Sequence, residues 1–184
     1  LDCGTKVVDS YNKCRSITYA DRFDLAGGAW TYFPFPSSYN QIAHLGWIPE
    51  KNRKTVTREN VTADGVYKLY SLSRPREQGQ TELIRIPRTV NDGVYYIEYR
   101  SKESLDSDLP PKLFKGAIMR LSGIPNGVLA NEEGSYQYRP EQTYLLDLSN
   151  SNPASWQDFL DPTLKDGKSF EDNINRIKIT QLSH

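Results

Sequence analysis

The sequence is poor in the side chains that hold metal ions. Its 184 residues include two cysteines, two histidines and one methionine. Four cysteine or histidine ligands at zinc-site spacing are absent, so we expect no metal site formed by this chain alone. His44 stands two residues before a glycine and His184 is the last residue, so no Ser/His/Asp set can be assembled. HExxH, glycine-rich phosphate-binding and EF-hand patterns are also absent, and the sequence contains no complete active site.

The sequence also lacks an excess of charge and lacks long apolar runs. Its 23 Lys and Arg residues balance 23 Asp and Glu residues, which leaves a formal net charge of zero. Proteins that bind phosphate backbones carry a basic stripe, so we expect no nucleic-acid partner. No apolar segment approaches the roughly 20 residues that cross a bilayer, so we expect no membrane span.

Tyrosine, in contrast, is frequent, with twelve residues, and aromatic side chains suit half-buried pleated surfaces. Strand signals recur with turn signals between them, and Asn91-Asp92-Gly93 is the best hairpin turn in the chain. The predicted fold class is mainly β, an antiparallel β-sandwich preceded by a small unit of turns plus one helix. The expected strands cover residues 55–60, 66–72, 83–87, 94–100, 112–121, 135–138, 144–148 and 177–182.

The one expected helix occupies the stretch Tyr39–Pro49, YNQIAHLGWIP. Ser37 or Ser38 can cap its first amides, and Gly46 followed by Pro49 ends it. The spacing predicts an apolar face made by Tyr39, Ile42 and Ala43, with Trp47 and Ile48 packing back on the helix. We expect a boundary here, which divides the chain into residues 1–48 and 49–184.

Both chain ends carry further expectations. Cys3 and Cys14 lie eleven positions apart in a turn-rich segment, which favours a small disulfide loop; two buried free thiols are the alternative. The first residue is Leu1 rather than methionine, and the last segment alternates like a strand without a return partner. These features suggest a processed product or a fragment.

Three groups of side chains are candidates for polar or binding roles. Glu98 and Arg100 lie two positions apart on one side of a strand. Three roles are open to them: gripping a ligand, bracing a loop, or forming an ion pair of small net value. The aromatic run that includes Tyr32 and Phe35 is either a stacking surface for carbohydrate or peptide, or packing beneath the helix. The acidic C-terminal segment, with Asp158, Asp161, Asp166, Glu171 and Asp172, is compatible with calcium.

Several segments, in order along most of the chain, resemble the gametolysin-type and the related immune-inhibitor-A-like secreted zinc metallopeptidases. In that family a helix bearing HExxHxxGxxH binds zinc, an LDCG-like segment follows it, a YGDPFDxMG turn underlies the metal, and an LGW-terminated helix precedes a β-rich domain. This sequence has Ala26 where the family carries its methionine and Arg22 where it usually has proline. The matching segments are Leu1–Gly4, Tyr19–Gly27, His44–Ile48, Tyr95–Arg100, Leu164–Phe170 and Ile177–Leu182.

The resemblance implies that the chain is the C-terminal part of a secreted or cell-surface zinc endopeptidase that acts on protein or peptide substrates. The zinc ligands and the catalytic glutamate would lie outside this chain, so the chain by itself is not expected to hydrolyse peptides. Residues 1–48 would be the end of a metzincin-like catalytic lobe, and residues 49–184 an accessory sandwich. The cleft floor would be Asp24, Leu25, Ala26, Gly27 and Gly28, with Trp30 and Tyr32 as a substrate wall. A non-catalytic adhesion or carbohydrate-binding sandwich is the alternative.

Overall fold

The computed structural model describes residues 7–8, 21, 23–25, 34–61, 65–89, 93–123, 143–149 and 161–184. Within these residues the protein is mainly β, as the sequence predicts, with antiparallel pairing in most of its ladders. A single short α-helix, α1 (Ser38–Ala43), precedes all of the strands. The strands are β1 (Arg53–Thr55), β2 (Leu83–Pro87), β3 (Val94–Glu98), β4 (Gly116–Ser122), β5 (Thr143–Leu145), β6 (Leu164–Lys165), β7 (Ser169–Asp172) and β8 (Ile177–Thr180).

The first six strands form one sheet and the last two form a ribbon. The sheet runs in the order β1-β2-β3-β4-β5, and β6 also pairs with β4. The pairing is antiparallel in the described ladders except that β1 pairs with β2 in parallel, and the isolated bridge between Ser71 and Tyr99 is parallel too. β7 and β8 make a separate antiparallel pair, and whether the fold is a full sandwich stays a prediction.

Two glycines allow neighbouring backbones to approach. Gly93 has φ +124° at the start of β3, and a Cβ there would lie 2.5 Å from the Ser122 carbonyl oxygen. A Cβ on Gly116 would lie 1.8 Å from the Leu164 carbonyl oxygen. Both distances are shorter than a non-bonded contact between carbon and oxygen. Both positions therefore require glycine for the ladders on either side of β4 to form.

The two faces of the sheet differ in chemistry. In the register Ile84 pairs with Ile97, which pairs with Met119, and these residues belong to the larger apolar core, to which the ribbon contributes Phe170. The opposite face carries Glu98, Arg100 and Arg120, all fully buried, beside a smaller apolar cluster that includes Phe23, Leu113 and Ile118. Alternation along the strands therefore separates an apolar layer from a charged one.

The helix differs from its predicted form. The Ser37 hydroxyl accepts a hydrogen bond from the Asn40 N–H, so the predicted cap is confirmed. Gly46 has the expected positive φ, +64°, but α1 ends at Ala43 with His44 as its C-cap, so the predicted helix extends too far toward Pro49. The apolar face is wrong: Ser38 and Gln41 are the buried residues of α1, whereas Ala43 is exposed. The inward face is polar because the helix lies over the charged side of the sheet.

The two apolar residues that follow the helix differ in burial. Ile48 is buried as expected, but 49% of Trp47 is exposed, so Trp47 does not pack back on the helix.

Several strand predictions also need correction. Strand structure ends at Thr55 rather than continuing to residue 60, and residues 65–70 form no ladder. Residues 112–115 lie in or just after a 3-10 turn, and β4 begins at Gly116. β8 pairs with β7, so the expectation of a last strand without a return partner is wrong. The predicted strand 135–138 lies outside the described residues.

In the described part of the chain, no helix has the length and apolarity needed to cross a membrane.

Candidate functional site

The charged face of the sheet is built around two arginines from neighbouring strands. Arg100 follows β3 directly, and Arg120 lies in the middle of β4 opposite Tyr96. Neither side chain has any exposed surface, and Glu98 between them has none. A charge taken out of water stabilises a fold only when hydrogen bonds and opposite charges replace its hydration shell, so the partners of these groups decide what the face does.

Arg100 binds two carboxylates and three backbone carbonyls. Its guanidinium donates to Glu98 Oε1 at 3.2 Å and to Asp106 Oδ2 at 3.1 Å. It also donates to the carbonyl oxygens of Phe23, at 3.2 Å, and Pro36, at 2.9 Å, and to that of Phe35 at 3.3 Å. One side chain of the sheet therefore holds two separate segments of the N-terminal region.

Asp106 completes the attachment of residues 34–37. Its Oδ1 accepts the Phe35 N–H at 3.0 Å, and its Oδ2 accepts the Ser73 hydroxyl at 2.5 Å. Asp106 lies in a 3-10 turn and is fully buried, so part of the segment at residues 101–111 belongs to the interior. Because Arg100 and Asp106 contact opposite groups of Phe35, the backbone at this position is held from both sides.

Arg120 holds the turn that precedes the predicted cleft floor. Its guanidinium is bidentate to the Asp21 carboxylate, with one contact at 3.2 Å, and lies 3.6 Å from Glu98 Oε1. Asp21 Oδ1 in turn accepts the Phe23 N–H at 3.0 Å. Bidentate arginine–carboxylate pairs fix geometry as well as charge, so the turn at residues 21–25 has a defined position on the sheet.

Glu98 joins the helix to the arginines. Its Oε2 accepts the Ser38 N–H at 2.7 Å. Burial by itself raises the pKa of Glu98, but Arg100, Arg120 and the Ser38 hydrogen bonds outweigh burial and leave the pKa below its usual range. Burial lowers the pKa of Arg120, but the carboxylates of Asp21 and Glu98 outweigh burial and raise it. Glu98 and Arg120 are therefore both charged at pH 7.

Of the predicted cleft-floor residues, the structure describes Asp24 and Leu25. Asp24 is 6% exposed and its Oδ2 accepts the Asn40 side-chain N–H at 2.7 Å, whereas Leu25 is 53% exposed. The turn thus has one side chain tied to the helix and one directed to solvent. The other predicted site residues, Ala26, Gly27, Gly28, Trp30 and Tyr32, lie outside the described residues, as do Cys3 and Cys14 and their predicted disulfide.

The charged face is an anchor rather than a reaction centre. Arg100, Arg120, Glu98 and Asp106 have no exposed surface, so no substrate reaches them, and the set includes no nucleophile beside a base. Of the three roles open to Glu98 and Arg100, bracing a loop agrees with their contacts. His44 is exposed at the end of α1, as expected.

The acidic C-terminal residues that the structure describes do not converge, and Asp158 lies outside the described residues. Asp161 pairs with Lys165, Asp166 with His184 and Glu171 with Lys178. Asp172 instead pairs with the buried Arg88. A search of the described residues for three or more His, Cys, Asp or Glu side chains around one point found no such group, so the suggestion of calcium gains no support from these residues.

A cleft of about 540 Å³ lies on the other, apolar face. Its floor consists of side chains from the sheet, including Ile84, Ile97 and Ala117. Its walls are the extended residues 65–69 on one side and residues 178–184, from β8 onward, on the other. This volume is in the range of small-molecule sites, and the sequence did not indicate a site here because its lining comes from five separate parts of the chain.

Comparisons with known proteins found no match for this chain among protein-family models, curated proteins or solved structures.

Proposed function

We propose that this chain is the non-catalytic C-terminal part of a secreted zinc-dependent endopeptidase, in which it supplies the cleft floor and an accessory β-unit. One observation supports the proposal above the others. The turn at residues 21–25, which resembles the turn beneath the metal in gametolysin-type peptidases, is attached to the sheet by the buried Arg100 and Arg120. Burying two arginines costs desolvation free energy. A turn that formed only a surface loop would not require this cost.

The proposal assigns positioning roles to these residues. Arg120 and Asp21 set the height of the turn above the sheet, and Arg100 holds the Phe23 carbonyl and the chain at Phe35 and Pro36. Asp24 ties the turn to α1 through Asn40. A zinc ion, with ligands elsewhere in the parent protein, would polarise the peptide carbonyl and activate water; the residues of this chain would hold the surface beneath it.

The test uses the complete polypeptide encoded by the gene alongside the isolated chain. We expect the complete protein to contain an HExxHxxGxxH segment before Leu1, to bind one zinc ion and to cleave casein, whereas the isolated chain does neither. Stoichiometric zinc and casein cleavage by the isolated chain would disprove the non-catalytic assignment. A complete protein without the histidine segment would disprove the peptidase assignment.

The positioning role has its own readout. Arg120→Met in the complete protein should lower kcat on the order of 100-fold, since small displacements at a reacting centre are that costly. The matched control Arg74→Met alters an arginine that is 64% exposed and should leave kcat unchanged. Equal zinc content and equal circular dichroism in both variants would show that Arg120 acts on geometry rather than on metal loading or folding.

A second candidate, a non-catalytic binding module, is favoured by the cleft on the apolar face, which has the size of a ligand site. Specific ligand binding by a complete protein that lacks peptidase activity would support this reading instead.

A further inference from the structure

The cleft between residues 65–69 and β8 has no part in the proposed peptidase role, because it lies on the opposite face of the sheet from the buried arginines. Its floor is formed by side chains that point away from the sheet, with Ile84 opposite Ile97 in the register. A ligand on this floor meets methyl and methylene groups rather than backbone donors. The floor therefore suits a hydrocarbon chain and not an added peptide strand, which pairs with a sheet edge.

The rim of the cleft extends the apolar surface into solvent. Val61, Val66 and Leu182 line it and are 51%, 53% and 65% exposed. Clustered exposed apolar side chains mark binding surfaces, whereas single ones do not. The ligand should therefore be apolar over a length that covers both the floor and the rim.

Three basic side chains line the cleft. Lys68, Lys178 and His184 line the cleft, and among the described residues no aspartate or glutamate does. Lys178 is paired with Glu171, and His184 with Asp166. The Lys68 ammonium lies 4.7 Å above the Tyr70 ring centroid, and within the described part of the chain no carboxylate lies within ion-pair distance of it. Lys68 thus carries positive charge that a ligand can neutralise.

We propose that this cleft binds a single-chain carboxylate amphiphile of the fatty-acid class. The alkyl chain lies on Ile84, Ile97 and Ala117 beneath the rim, and the carboxylate reaches the Lys68 ammonium at the open side. The apolar floor supplies affinity through buried methylenes, and the lysine selects the sign of the head group.

The experiment is titration of the protein with dodecanoate, below its micellar concentration, by isothermal calorimetry. We expect saturable binding with one site per chain. Decanoate, two methylenes shorter, should bind on the order of tenfold more weakly. Dodecyltrimethylammonium, which has the same chain length and the opposite charge, should bind on the order of tenfold more weakly than dodecanoate.

Matched variants locate the site. Lys68→Gln should weaken dodecanoate about fivefold, as expected for one partly exposed charge pair, whereas Lys112→Gln, an exposed lysine outside the cleft, should leave binding within twofold. Leu182→Ser should weaken binding, and Leu105→Ser, which is 52% exposed elsewhere, should not. All four positions are exposed, so circular dichroism should be unchanged.

Three outcomes would overturn the proposal. They are the absence of saturable dodecanoate binding, equal affinity for the cationic amphiphile, and equal effects of Lys68→Gln and Lys112→Gln. Binding of an extended hydrophobic peptide by a protein that ignores dodecanoate would assign the cleft to a peptide. None of these results depends on peptidase activity, so the two proposals fail independently.

Discussion

The two faces of the central sheet are attached to the rest of the molecule by opposite kinds of force. On one face, Ile97, Met119 and the ribbon residue Phe170 bury apolar surface, and a polar set around Asp172 joins the ribbon to Arg88 and Tyr95. On the other face, Arg120 binds the Asp21 carboxylate, and Arg100 binds the backbone carbonyls of Phe23 and residues 35–36. Apolar contact is proportional to area and tolerates sliding, whereas charge-assisted hydrogen bonds require one geometry.

The difference indicates why the N-terminal segments lie on the charged face. Among the described residues, Asp21, residues 23–25 and residues 34–37 belong to no ladder of the sheet, and their backbone carbonyls need donors that strand pairing would otherwise supply. Arg100 supplies those donors. The charged face therefore holds irregular backbone in place, and the apolar face holds a regular ribbon.

Breaking the charged face should have the largest effect. Arg100→Met keeps most of the side-chain volume but leaves Glu98, Asp106 and three carbonyls without their donor, and we expect it to lower the free energy of unfolding by about 3–5 kcal/mol. Urea unfolding measures this. Arg74→Met, which removes an exposed pair with Glu103, should stay within about 0.5 kcal/mol. A loss below about 1 kcal/mol for Arg100→Met would show that the charged face is not an anchor.

Neutralising Glu98 should have an intermediate effect that depends on pH. Its folded pKa lies below the unfolded value because the two arginines and Ser38 outweigh burial, so its contribution is present above about pH 4 and is lost as the pH falls through the folded pKa. We expect Glu98→Gln to cost about 1–3 kcal/mol at pH 7, with the gap from wild type narrowing below about pH 4.

Urea unfolding at about pH 7, 5, 4 and 3 measures the difference in free energy of unfolding between the wild type and Glu98→Gln. These pH values bracket the ordinary range of carboxylate pKa values. The pKa of Asp21 is raised, chiefly by burial and least by the Glu98 charge, so Glu98→Gln changes the Asp21 contribution only slightly. A gap that stays constant over this range would mean that the pKa of Glu98 is the same in the folded and unfolded states, which would contradict the prediction.

A conservative change on the apolar face should have the smallest effect. Ile97→Val removes one methylene from a residue that is 5% exposed, and we expect a loss of about 1 kcal/mol in urea unfolding. Ile177→Val, at a half-buried position of the ribbon, should cost less. If Ile97→Val cost as much as Arg100→Met, the distinction between a tolerant apolar face and an exacting charged face would fail.

Local sequence patterns predicted the strands with strong alternation and clear turns. β2 matches the predicted bounds at Leu83–Pro87, and β3 pairs with it in the hairpin predicted from the turn that ends at Gly93. The predictions failed at 55–60 and 66–72, where β-branched and aromatic residues pack against the core without a ladder. Propensity describes how a side chain fits a pleated surface, and it does not identify a partner strand.

The candidate sites were less predictable than the strands. Glu98 and Arg100 were recognisable as a pair, but Asp106, Asp21 and Arg120 were missed because their contacts join positions as far as 99 residues apart. One signal was available: Arg120 interrupts the otherwise apolar strand at residues 116–122, and a charge inside such a run is a sign of a buried partner.

Local sequence was sufficient for the mainly-β class, the pairing of β2 with β3 and the Ser37 cap of α1, because each depends on neighbours within a few positions. The tertiary structure decided which side of the sheet each segment covers. The pleat places Glu98, Arg100 and Arg120 together on one face and Ile97 and Met119 on the other. Only that placement turns these three charges into an anchor for Asp21, Phe23 and residues 35–38, because the stabilisation of a buried charge depends on groups that are distant in sequence.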